Sequence, residues 1–196
     1  MKTALAAFLN APDDQTALQA LEGTHFLDPR WNDGRSSQAM LQAMNRIRAL
    51  KAAGRDIEFH PFQPSSPRPS GMTQAWSELN MAREISRGVW ERPQARMLIL
   101  TGNIHARKTG QPRWPEVGLP ATGHLPAADT LSLRIAQQGG SAWNCSGDDC
   151  GVDRSIVQDD PDLRGVILVS TDDGAHDGLL ALGPSTASFP IRQGAD

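Results

Sequence analysis

Apolar residues recur at helical spacing in four stretches of the 196-residue chain, and in shorter alternating or unbroken runs between them. Leu5, Phe8 and Leu9 share one face of a short helix before Pro12, and Ala17, Leu18 and Leu21 do the same over 13–21. Met40, Leu41, Met44, Ile47 and Leu50 follow Ser36 and Ser37, either of which can cap a helix that Gly54 then closes. A fourth helix spans 74–91, with Trp76, Leu79, Met81, Ile85 and Val89 as its inward positions and Pro93 as its stop. Strands are expected where the period shortens: the alternation over 56–62, the apolar run 97–100, the alternation over 130–136, and short runs at 165–170 and 179–182.

Helix followed by strand, repeated, is the order of a parallel α/β architecture, so the expected fold is α/β with a mainly parallel sheet flanked by helices. The chain reads as a single domain over 1–196. Its first 31 residues form a helical segment, and 109–128 and 139–162 are long loops, the latter including a polar stretch around the cysteines. A short helix near 121–125 and a turn over 172–178 complete the pattern.

The run Arg96-Met-Leu-Ile-Leu-Thr-Gly-Asn-Ile-His-Ala-Arg-Lys108 carries the first chemistry. In open α/β sheets ligands collect beyond the carboxyl ends of strands, and Asn103 and His105 stand there. A histidine so placed exchanges protons near neutral pH or ligates a metal. Asp33-Gly-Arg-Ser-Ser37 opens the third helix, where free N–H groups favour anions and Arg35 adds a bidentate donor. Asp33 and Ser36 are therefore ligand-binding candidates. His60, at a strand end before Pro61, is another, because it would share the sheet edge with His105. His25, His124 and His176 are isolated. The acidic, glycine-rich 172–178 stretch lacks the spacing of a calcium loop.

Composition narrows the function classes. A formal net charge of −3 removes the electrostatic case for a nucleic-acid binder. No apolar run approaches the roughly 20 residues of a membrane helix. The amino terminus is too weakly basic, and too soon interrupted by Asn10 and Pro12, for a secretory signal, and is read as a helix. Cys145 and Cys150 are compatible with a small disulfide loop and equally with two free thiols.

Taken together, Trp31-x-Asp-Gly-Arg-Ser-Ser-x-Ala-Met40, Asn80-Met-Ala82 and Leu100-Thr-Gly-Asn-Ile-His-Ala106 resemble the erythromycin-esterase/ChaN-like superfamily, with TraB/TIKI proteins as distant relatives. Gly140-Ser-Ala-Trp-Asn-Cys145 and Leu182-Gly-Pro-x-Thr-Ala-Ser188 are similar to uncharacterised bacterial members. The resemblance runs from about residue 4 to 190. It implies an α/β fold with a polar cleft where a Gly-Glu-x-His motif and a Gly-x-x-His motif face each other. Gly102-Asn-Ile-His105 matches the second, and Arg35 the helix-start arginine. The first has no counterpart, since His25 in Glu22-Gly-Thr-His25 follows no strand, so the resemblance implies an N-terminally reduced member, a sequence that starts after that half, or a site that borrows residues from a partner.

The resemblance implies a hydrolase in which His105 is base or ligand, Arg35 holds a substrate anion and Asn103 donates to developing charge. The alternatives are a protein binding haem, a divalent metal or a small ligand in the same cleft, and an interaction domain without chemistry. Arg35, Asn103 and His105 are expected to converge on one cleft. A cleft histidine buries little apolar surface, so its removal should leave stability nearly unchanged. The expected partner is a small molecule. An exposed sheet edge, or a homo-oligomer covering it, follows from the reduced sheet. The expected location is the cytoplasm, or the periplasm if the natural start lies upstream.

Overall fold

Local capping explains where the helices begin. Asp13 accepts from Thr16 N at 2.7 Å, Ser37 Oγ from Met40 N at 3.3 Å and Thr73 Oγ1 from Trp76 N at 3.2 Å. Each satisfies an N–H group that the first turn leaves without an intrahelical partner. The computed structural model describes residues 1–28, 34–64, 70–146, 149–171 and 173–191. Among these, the α-helices are α1 (Lys2–Asn10), α2 (Asp14–Ala20), α3 (Gln38–Ala52) and α4 (Gln74–Glu91). The strands are β1 (Leu133–Ile135), β2 (Ser141–Ser146), β3 (Asp149–Arg154), β4 (Gly165–Ile167) and β5 (Gly178–Ala181). The protein is mixed α/β, and among the described residues no helix is long and apolar enough to cross a membrane.

The backbone divides into two compact units. The first comprises Met1–Phe59, Gln138–Val157 and the described residues from Pro184 onward. Its core gathers Phe8, Ala17, Leu21, Leu27 and Met44 from α1, α2, the turn after them and α3, with Phe59 tilted against Phe8 at 6.4 Å between ring centres. At the end of α3, Gly54 has φ +90°, Gly54 N donates to Lys51 O and Arg55 N to Leu50 O. That paired closure needs a left-handed residue, which glycine supplies without a Cβ penalty.

β2 and β3 form an antiparallel hairpin in the first unit, pinned by a Cys145–Cys150 disulfide between directly opposed residues. The sequence reading placed a polar loop here; the strands exist because the disulfide and the flanking bridges fix their register. Ser185 pairs beside the hairpin through Ser141 N to Ser185 O and Ser185 N to Gly139 O, and Trp143 meets Phe189 at 5.4 Å.

The second unit comprises His60–Gln137 and Gln158–Gly183. It holds α4 and a three-stranded sheet in the order β1-β5-β4. β1 and β5 run parallel, whereas β4 and β5 run antiparallel. Gly178 permits the close β4–β5 approach, since a Cβ there would sit 2.2 Å from Ile167 O. The expected mainly parallel sheet is therefore corrected: among the described residues the sheets are small, and two of the three strand ladders are antiparallel.

The missing parallel strands have an identifiable cause. Residues 97–101 make no backbone hydrogen bond to a described residue, and Leu98 is 98 % exposed. Met97 is drawn instead onto Gly88 of α4, where an added Cβ would lie 2.6 Å from its Cε. Residues 56–62 also join no sheet, and His60 donates from Nε2 to Glu84 O on α4 at 2.8 Å. Met97 and His60 thus both pack against Gly88 of α4, and neither run pairs with a strand among the described residues.

Candidate functional site

The first turns of α4 place Gln74 and Glu78 one turn apart on the same face. Glu78 lies on the buried arc of this helix with Met81, Ala82 and Ile85, and its side chain has no solvent exposure. A buried carboxylate is costly unless its lone pairs are met. Gln74 Nε2 donates to Oε1 at 2.8 Å, and Ala121 N to Oε2 at 3.0 Å from the 3-10 turn Ala121–His124. The third donor is His105, whose Nδ1 lies 2.8 Å from Oε1 and 3.0 Å from Oε2.

His105 reaches this carboxylate from a tight turn in which Ala106 N donates to Gly102 O and Arg107 N to Ile104 O. Thr122 N donates to His105 O at 3.1 Å, tying the turn to the 121–124 segment. Burial raises the Glu78 pKa, but the hydrogen bonds from His105, Gln74 and Ala121 and the charge of His105 outweigh it, so the group lies below the usual carboxylate value. Glu78 is thus ionised and acceptor-only at neutral pH, and the proton between the two groups rests on Nδ1. Nε2 has no partner among the described residues, and the side chain keeps 33 % of its surface exposed. An imidazole whose Nδ1–H is held by a carboxylate has its Nε2 lone pair available as a base or as a ligand.

Around this pair the second unit is closely wired. Asn103 Oδ1 accepts from Ile135 N at 3.3 Å, and Asn103 O accepts from His176 Nε2 at 3.3 Å. His176 is buried; desolvation, with the charges of Arg107 and Arg134, outweighs the raising effects of Asn103 and Asp173 and lowers its pKa. Arg107 donates to Asp173 Oδ2 at 2.6 Å and is the main reason that the Asp173 pKa falls to about 2. Lys108 pairs with Asp177 at 2.6 Å, and Asp177 also accepts from Ser132 N at 2.7 Å. An open depression of about 510 Å³, lined by Lys108, Asp129, Leu131, Leu168 and Asp177 among others, lies in this unit and does not include His105.

The structure therefore groups Asn103 and His105 in the second unit. Asn103 has a structural task through Oδ1, while its Nδ2 makes no hydrogen bond to a described residue. His60 belongs to the same unit and packs on α4. Arg35 and Ser36 belong to the first unit, and Asp33 lies outside the described residues. At the start of α3, Gln38 N donates to Phe189 O, Ala39 N to Ser188 Oγ and Met40 N to Ser37 Oγ. The N–H groups that the sequence offered to an anion are already satisfied by the chain itself. Ser36 contributes its carbonyl to Ile191 N.

Glu78 is the residue that the sequence reading missed. Its signal was present: 78, 81, 82 and 85 fall on one helical stripe, so a carboxylate there sits among apolar positions. Among the described residues no three His, Cys, Asp or Glu side chains converge as a metal-binding group. The described donors thus fall short of the three or four ligands that a protein-bound zinc takes. Compared with family models, with curated proteins and with solved structures, the chain matches none.

Proposed function

We propose that the second unit is a hydrolase site in which His105 is the general base and Glu78 is its positioning residue. One observation carries this reading: a fully buried carboxylate holds Nδ1 of His105 in a two-oxygen grip while Nε2 is left unpartnered on a part-exposed ring. The family resemblance of the Gly102-Asn-Ile-His105 segment supports the same reaction class.

In the proposed reaction Nε2 takes a proton from water as the water oxygen bonds to an ester carbonyl carbon. Ionised Glu78 stabilises the resulting imidazolium without itself taking the proton. The imidazolium then returns that proton to the departing alkoxide as the C–O bond breaks, giving acid and alcohol. Asn103 Nδ2, which makes no hydrogen bond to a described residue, is the donor proposed for the developing oxyanion.

The test is hydrolysis of short-chain nitrophenyl esters by the wild type, His105→Gln and Glu78→Gln, with folding checked by circular dichroism. His105→Gln should lose about 10²–10⁴-fold in kcat, the usual contribution of a positioned acid–base group. Glu78→Gln should lose a comparable factor, because an amide favours the wrong imidazole tautomer. A folded His105→Gln variant with full activity, or a wild type inactive on every ester, overturns the proposal.

A further inference from the structure

The turn that carries His105 is held from two sides. On one, the imidazole reaches Glu78 on α4, and the His105 carbonyl accepts from Thr122 N. On the other, the neighbours of His105 are bonded to residues 173–177, which precede β5. Lys108 N donates to Ala175 O at 2.7 Å, Lys108 Nζ to Asp177 Oδ1 at 2.8 Å, and Arg107 to Asp173 Oδ2 at 2.6 Å. Ser132, just ahead of β1, donates from Oγ to Ala106 O and from its N–H to Asp177.

One contact in this second grip comes from a buried titratable side chain. His176 is 2 % exposed, and its Nε2 lies 3.3 Å from Asn103 O. A carbonyl only accepts, so Nε2 carries the proton. Among the described residues Asn103 O has no other donor, while Asn103 Oδ1 accepts from Ile135 N. Asn103 is thus tied at its carbonyl and at its side chain, two residues before His105. His176 is itself anchored: its N donates to Thr171 Oγ1 at 3.1 Å, and its O accepts from Thr171 N at 3.1 Å. Thr171 Oγ1 donates onward to Asp173 Oδ1 at 2.8 Å, and that oxygen also accepts from Ala175 N.

We infer that His176 is a further positioning residue of this site: by donating to Asn103 O it fixes the turn that presents His105 to Glu78. The inference deepens the hydrolase reading, and its kinetic part rests on that reading. A residue that only filled space could be exchanged for an apolar side chain of its size. His176 instead meets a carbonyl that no other described group meets, on the turn that carries the proposed base. Without that donor Asn103 O must turn towards water, and the backbone between residues 103 and 105 turns with it. The two-oxygen grip on Nδ1 then loosens, and the ring is no longer confined to the tautomer that leaves Nε2 as a base. A displacement of about 1 Å at a catalytic group can cost about 100-fold in rate.

The test compares the wild type with His176→Met, which has a similar volume and no donor, and His176→Gln, whose amide nitrogen can replace Nε2–H. Proton and nitrogen NMR of the His105 imidazole reads its tautomer, and nitrophenyl ester hydrolysis reads kcat and KM. His176→Met should convert His105 from the Nδ1–H form to a mixture of tautomers and lower kcat by up to about 100-fold, with KM nearly unchanged. His176→Gln should keep the wild-type tautomer and kcat. Should His176→Met fail to fold by circular dichroism, Thr171→Val decides by the same spectra. It removes the hydroxyl that anchors His176 N and should produce the same change in smaller degree. A folded His176→Met, or in its place Thr171→Val, with the wild-type His105 spectrum overturns the inference, as does a His176→Gln that loses the Nδ1–H form. The spectra decide this whether or not any ester is cleaved. A wild type inactive on every ester would instead overturn the hydrolase reading and leave the positioning of His105 to the NMR result.

Discussion

Glu78 has no exposure, yet three donors from three segments meet its two oxygens. Taking one donor away leaves a buried charge under-solvated, which costs about 1–3 kcal/mol. His105→Ala is therefore expected to lower stability by that amount, in contrast to the small effect expected from a cleft histidine that only touches solvent. Urea unfolding of His105→Ala beside Glu78→Gln checks this, because removing the charge itself should cost less than orphaning it. The same groups set the acid response. Glu78, Asp159, Asp173 and Asp177 all have folded pKa values below their ordinary ones. For such acids the stabilisation is complete above the ordinary carboxylate range and disappears as pH falls through the folded values. His176 is also lowered, from 6.5, by burial first. A base held neutral in the fold loses stability in the same direction, as pH falls below the unfolded value. Tm should decline first below about pH 6.5 and again on descending below the usual carboxylate range, with His176→Gln removing the first step. A flat Tm between neutrality and pH 5 would count against the buried neutral histidine.

At the scale of elements, the helices were legible because their information is local. Ser37 and Gly54 bracket α3 in the sequence as they do in space, and α4 occupies the 74–91 span that the periodicity predicts. Strands depend on partners far along the chain, which a run such as 97–100 cannot name. The hairpin was illegible for a further reason: Cys145 and Cys150 were compatible with two states, and it is as a cross-linked, directly opposed pair that they mark the register of the strands. Closing so short a loop should contribute about 2 kcal/mol through the lost freedom of the unfolded chain. The double variant Cys145→Ser/Cys150→Ser should therefore unfold at lower urea by that amount. Its hairpin amides should lose hydrogen-exchange protection before those of α3. An unchanged urea midpoint would mean that the flanking pairs alone hold β2 and β3.

Across the whole molecule, the candidate site proposed above was legible in one of its two halves. His105 and Asn103 stand out by motif, but the carboxylate that gives His105 its tautomer lies 27 residues away on α4. No spacing rule joins the two. The same dependence on distant segments governs the first unit, which the chain assembles from three separate stretches. The last of these does more than fill space. Phe189 O and Ser188 Oγ accept the first two N–H groups of α3, Ser185 pairs with the hairpin, and the Phe189 ring meets Trp143. Ending the chain after Gly183 would remove all of these together and expose the start of α3 and one side of β2. A lost helix cap alone costs about 0.5–2 kcal/mol, so Ser188→Ala should show a loss within that range. The shortened chain should lose several times more, enough to consume much of the 5–15 kcal/mol margin of a typical domain. Thermal unfolding followed by Trp fluorescence distinguishes the outcomes, since Trp143 reports on the very contact removed. If the shortened chain kept the wild-type midpoint, the terminal stretch would be an appendage and the first unit would owe its stability to the helical core alone.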